Sequence, residues 1–141
     1  GGSATNIIAD EVTLEAEARS HDDQSINKQV KHMKETFETT ANELGGQAEV
    51  LVEKSYPGFE VNETDKVTQY AISSALALGL KGDTCIAGGG SDGNIMNQYG
   101  IPSVILGVGY ENIHTTSERI AIKDMYMLTR QIIKIIELVA E

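Results

Sequence analysis

With 141 residues and a net charge of −10, the chain has the length of one ordinary domain and too much negative charge to favour nucleic acid or an anionic membrane, both of which would repel it. Hydrophobic residues make up 40% of the sequence, enough for a packed core, yet no apolar run is long enough to span a bilayer and no segment has the form of a signal peptide. These features point to a cytoplasmic protein with no nucleic-acid or membrane partner.

The chain opens on Gly1-Gly2 rather than Met, with a strand-like pattern a few residues later, as expected of a piece of a longer polypeptide. From Glu11 to Ala18 the pattern alternates. Val12, Leu14, Ala16 and Ala18 point one way and Glu11, Thr13, Glu15 and Glu17 the other, which predicts a strand with one wet face. Ile26, Val30, Met33, Phe37, Ala41 and Leu44 then recur at spacings of three and four, predicting an amphipathic helix from about Asp22 to Leu44. Gly45-Gly46 closes it, because glycine tolerates the left-handed conformation that ends helices. Ala48, Val50 and Val52 alternate with polar residues and predict a second strand. Residues 1–56 thus form one β-α-β unit, too small to stand alone, with the pattern of half a βαββαβ sandwich.

Tyr56-Pro57-Gly58-Phe59 is a turn signal and a candidate domain boundary. Beyond it, Asn62 or Thr64 is placed to cap a helix running to about Leu78, with Val67, Tyr70, Ala71, Ala75 and Leu78 inward and Gly79 at its end. A short apolar strand follows (Thr84-Cys85-Ile86-Ala87), in which Cys85 is expected to be a buried thiol with no disulfide partner. Next come a glycine loop from Gly88 to Asn94 and a brief helix from about Asn94 to Tyr99. Ser103-Val104-Ile105-Leu106 shows no alternation and predicts a strand covered on both faces. A polar loop around His114 precedes a last helix, about Ile122 to Val139, that is apolar on two sides. This α-β-α-β-α order predicts the edge of a three-layer α/β domain with a parallel sheet.

The chemistry sits in the two loops. Ligands of open α/β sheets bind beyond the carboxyl ends of strands, so the glycine loop and the His114 loop are expected to converge. The glycine loop is open to three readings: a tight turn, a phosphate cradle, or a holder of a carboxylate or peptide through backbone N–H groups with help from Ser91 and Asn94. The second lacks the usual spacings and a following lysine. His114 is either a hydrogen-bonded loop residue or a metal ligand or acid–base group. A zinc site needs about three or four donors, and no HxxxH or CxxC spacing supplies them. His21 and His32 are expected to face solvent. Arg19 pairs with a nearby carboxylate or clamps a substrate carboxylate, which suits guanidinium geometry. Asn6 is by default a turn residue.

Four stretches, GGSATNIIADEVTLEAEARSHD, GGGSDGNIMNQYGIPSVILGVG, YENIHTTSERIAIKDM and the final helix, together resemble the zinc-dependent aminoacylase, carboxypeptidase G and peptidase T superfamily, most of all its tripeptidase branch. The resemblance covers nearly the whole chain. It implies a cytoplasmic homodimeric enzyme in which a catalytic domain holding two zinc ions (or cobalt or manganese) carries an inserted lid domain. Residues 1–58 would be the second half of the βαββαβ (ferredoxin-like) lid, and residues 59–141 the C-terminal segment of the α/β/α catalytic domain. By the same resemblance, His114 is a metal ligand, Asn6 and Arg19 hold the carboxylate of a short peptide substrate, and Gly90, Ser91 and Asp92 line the pocket. The family's glutamate base and remaining ligands lie upstream of the matching segment, so this chain alone is expected to be inactive. Two other roles compete: a non-catalytic amino-acid-binding module and a dimerisation module.

Overall fold

The computed structural model describes residues 4–141. Among them four helices form: α1 (Asp23–Glu43), α2 (Lys66–Ala77), α3 (Asp92–Gln98) and α4 (Ile122–Ala140). The chain divides into two compact units, Gly1–Glu53 with α1 and Lys54–Glu141 with α2, α3 and α4.

In the first unit, Asp22 caps α1 by accepting a hydrogen bond from the Ser25 backbone N–H at 2.6 Å. The helix ends where the spacing predicts, with Gly45 in the left-handed region at φ 81°. Its apolar stripe is only partly covered. Ile26, Val30, Met33 and Ala41 are half-buried, whereas Leu44 remains 82% exposed.

In the second unit, α2 starts at the Asp65 cap rather than at Asn62 or Thr64. The Asp65 carboxylate accepts from the Asn62 N–H at 2.7 Å, so Asn62 belongs to the turn that leads into the helix. Gly79, at φ 72°, follows the last turn as expected. Burial on α2 falls on Thr68, Ser74 and Ala75, and these short side chains permit close approach of α4. Gln131 of α4 donates to the Ala71 carbonyl at 3.2 Å across that contact. One face of α4 is thereby half-covered (Met127, Leu128, Ile135, Leu138), while Ile132, Ile133, Ile136 and Val139 stay exposed.

The expected α/β/α sheet and βαββαβ half-sandwich are not found. Among the described residues there is no strand, only one isolated antiparallel bridge between Glu111 and Arg119. The four segments that pattern as strands, near residues 11–18, 47–53, 84–87 and 103–106, form no ladder. Alternation identifies a face that needs cover, but a strand exists only where a neighbouring backbone supplies the hydrogen bonds. The side chains agree. Val12, Leu14, Ile86 and Ile105 are all more than half exposed, so neither the one-sided strand nor the doubly covered strand is realised. Cys85 is likewise exposed rather than buried, because no second layer lies over its segment. Among the described residues no helix is long and apolar enough to cross a membrane.

Two predictions follow from these helices. The Thr68 hydroxyl is buried with no hydrogen-bond partner among the described residues. Thr68→Val keeps the shape and removes the stranded oxygen, so stability by urea titration should rise by about 1 kcal/mol. A fall would mean that the hydroxyl has a partner. The Asp22 carboxyl is held below its ordinary range, first by the side-chain hydrogen bond to Ser25. A depressed folded-state value contributes stability above the unfolded-state value and loses it as pH falls through the folded one. Acid titration followed by circular dichroism should therefore show α1 fraying below the usual aspartate range, and Asp22→Asn should flatten that step.

Candidate functional site

Both candidate loops belong to the second unit. In the first, Gly88 and Gly89 have open space where a side chain would project, whereas Gly90 lies beneath the phenol end of Tyr56. The helix beyond begins two residues earlier than its sequence pattern suggests. Ser91 is the N-cap of α3, and Asp92 opens its first turn, where a negative charge complements the helix dipole.

Asn94 organises this junction. It is 7% exposed, and its side-chain oxygen accepts from the Ser91 N–H at 2.9 Å and the Ser91 hydroxyl at 3.4 Å. Its NH2 donates to the Pro57 carbonyl at 2.9 Å. Asn94 is therefore committed to holding the loop rather than offered to a ligand. Asn97 does similar work at the other end of α3. It donates to the carbonyls of Gly93 and Ser103, at 2.8 and 3.0 Å, and accepts from the Ser103 N–H at 3.1 Å.

The second loop is closed on itself. Glu111 and Arg119 exchange backbone hydrogen bonds of 2.8 and 3.1 Å, and the Arg119 guanidinium grips the Glu111 carboxylate through Nε and Nη2. Inside this tie, Thr115 donates through N–H and Oγ1 to the Asn112 carbonyl, and Glu118 accepts the His114 N–H at 2.9 Å. His114 is exposed and sits at φ 64°, in the left-handed region. Few non-glycine residues adopt that conformation, although histidine is among the more tolerant. Beside the loop lies an open groove of about 480 Å³, lined by Val108, Tyr110, Glu118, Arg119, Ile120, Met125, Leu128 and Thr129.

No hydrogen bond or ion pair among the described residues links the glycine loop to the His114 loop, and no sheet edge is present to bring them together. Nor do any three His, Cys, Asp or Glu side chains among the described residues cluster as a metal site. The donors among the described residues do not by themselves make up a metal site. The other two candidates lie in the first unit. Asn6 is an exposed turn residue. Arg19 donates from Nε to the Glu17 carboxylate, and that hydrogen bond, followed by the charge attraction, holds the Glu17 carboxyl below its ordinary value.

Tyr56 and Asn97 are not singled out as site residues by the sequence, since one sits in a turn signal and the other on a short helix. Glu118 is marked by the His-Thr-x-x-Glu spacing that follows His114 in the family resemblance, and it takes the His114 N–H.

The sequence profile of peptidase family M20/M25/M40 matches residues 2–138. An uncharacterised protein, YqjE of Bacillus subtilis (strain 168), is 42% identical over 137 residues, which is 97% of this chain and 37% of that protein. Among solved structures, a tripeptidase from Staphylococcus aureus subsp. aureus Mu50 superposes with a TM-score of 0.85 and 63% identity, over 99% of this chain and 37% of that one. The aminopeptidase PepT from Bacillus cereus ATCC 10987 gives a TM-score of 0.69 at 42% identity, over 85% of this chain and 32% of that one. The chain thus spans about a third of the length of the relatives that it matches.

The His114 backbone yields a test independent of any ligand. In a left-handed position a glycine is relaxed and an alanine is not, so His114→Gly should be more stable than His114→Ala by about 1 kcal/mol in thermal or urea unfolding. Equal stabilities would show that the loop relaxes out of that conformation when the imidazole is removed.

Proposed function

The chain belongs to peptidase family M20/M25/M40, and from that membership we propose that it serves as one segment of a metal-dependent exopeptidase that hydrolyses short peptides, tripeptides among them. One observation carries the proposal: 63% identity to a tripeptidase across 99% of this chain. The whole enzyme would be a cytoplasmic homodimer, with residues 1–58 in its lid.

In this proposal His114 contributes one imidazole to a zinc site whose other donors lie outside the chain. A metal held there would supply a Lewis acid and an activated water. The chain's own residues position the imidazole and the peptide. The Glu111–Arg119 tie and the Glu118 carboxylate fix the backbone at His114, so the ring needs little reordering when its partners arrive. Gly90, Ser91 and Asp92 form part of the pocket wall, set in place by Asn94. Asn6 and Arg19 bind the carboxylate of the peptide, with Arg19 shared between that group and Glu17.

The activity test needs a polypeptide of the relatives' length that carries this sequence. With zinc, cobalt or manganese it should cleave tripeptides, and His114→Ala should lower kcat/KM by at least about 100-fold. Absence of turnover with all three metals would sink the proposal. The 141-residue chain by itself should show neither turnover nor tight stoichiometric zinc binding by calorimetry, because one imidazole is too few donors. Tight binding that disappears in His114→Ala would overturn that expectation.

A further inference from the structure

Among the three glycines of the first loop, only Gly90 is pressed by another residue. A Cβ built there would overlap the hydroxyl oxygen and Cζ of Tyr56 and lie 2.8 Å from Cε1, whereas Gly88 and Gly89 face open space. The polar end of the Tyr56 ring therefore rests on the backbone at position 90. The contact works only with glycine beneath it, since any side chain would have to push the ring away.

The backbone beside the ring is held. Pro57 fixes its own φ and restricts Tyr56 before it, and its carbonyl accepts the 2.9 Å hydrogen bond from Asn94, which also holds Ser91. Two residues on, Phe59 reaches the base of α3, where its Cζ would lie 3.6 Å from a Cβ on Gly93. Ile105 Cδ1 would meet the same Cβ at 2.7 Å. The first turn of α3 is thus packed at Gly93 by Phe59 and Ile105, and the loop before it is covered at Gly90 by Tyr56. Gly88 and Gly89 make no backbone hydrogen bond among the described residues, so the loop would otherwise be loose there.

We propose that Tyr56 is a positioning residue that clamps the glycine loop at Gly90 and so sets the depth of the peptide-binding wall formed by Gly90, Ser91 and Asp92. The role rests on the assignment of those three residues to a substrate pocket. Tyr56 acts through the loop and takes no part in bond breaking, so its loss falls on substrate binding rather than on turnover.

Two measurements decide this. The first reads the clamp without any substrate, through backbone NMR order parameters in this chain. Residues 89–91 should sit near the rigid value of about 0.85, and Tyr56→Ala should drop them below about 0.6. Tyr56→Phe, which keeps the ring, should recover most of the order. Gly90→Ala should loosen the loop too, by expelling the ring, yet add little in the Tyr56→Ala background. That variant leaves no hole, so it serves if Tyr56→Ala fails to fold. Unchanged order parameters in a folded variant would overturn the clamp. The second measurement uses the polypeptide of the relatives' length on a tripeptide, where Tyr56→Ala should raise KM about 10-fold and change kcat much less. A loss confined to kcat would refute the positioning role. If the parent polypeptide cleaves no peptide at all, the peptidase assignment fails, and the order parameters still judge the clamp.

Discussion

The contact between α2 and α4 is the interaction on which the second unit depends. A helix of 12 residues is marginal by itself in water, so α2 needs a partner surface to persist. It meets α4 with small buried residues, Ser74 and Ala75, and with the Ala71 carbonyl, which accepts both the Ser74 hydroxyl and the Gln131 amide. Close approach is what brings that carbonyl within reach of Gln131. Bulky residues at 74 or 75 would separate the helices and leave the Gln131 amide without this bond.

The same solution recurs around α3. That helix has seven residues, too few to hold its place by hydrophobic burial. Two asparagine side chains do it instead, Asn94 tying its start to Pro57 and Asn97 tying its end to Ser103. A carboxamide is suited to this work because it donates and accepts at once, so one side chain can satisfy two backbone partners. The Glu111–Arg119 loop uses charge and backbone pairing for a similar end. Both candidate loops are therefore shaped by networks that do not call on a sheet, one reaching back to Pro57 and the other closed between Glu111 and Arg119.

Features encoded within a few positions are the ones that could be read from the sequence. The extents of α1 and α4, and the glycines that end α1 and α2, follow from residue spacing and backbone sterics, both encoded within a few positions. The glycine loop and the His114 loop were visible for the same reason. The sheet was misjudged because alternation at Val12 and Leu14, or the apolar run at Ile105, records a preference for cover without naming the backbone that provides it. Cys85 failed in the same way, since a buried thiol needs a second layer. The cap of α2 lies at Asp65, whose carboxylate accepts the Asn62 N–H and holds residues 62–65 in a turn ahead of the helix. Tyr56 was out of reach for a different reason: its partner Gly90 is distant in sequence, and a single glycine among three carries no mark of which one is covered.

Gly90 and His114 pose opposite backbone problems, and the contrast bears on their roles. At 90 the surroundings leave no room for a Cβ, so packing alone accounts for the glycine. At 114 the backbone is left-handed, a conformation in which glycine is relaxed and a side chain costs about 1–2 kcal/mol. Packing does not ask for a histidine there, because the side chain is exposed. Its N–H bond to Glu118 does not ask for one either, because any residue except proline could donate it. Neither packing nor local hydrogen bonding thus accounts for the imidazole at this position. The Glu111–Arg119 tie confines the loop around it and so helps to hold the unfavourable backbone at His114.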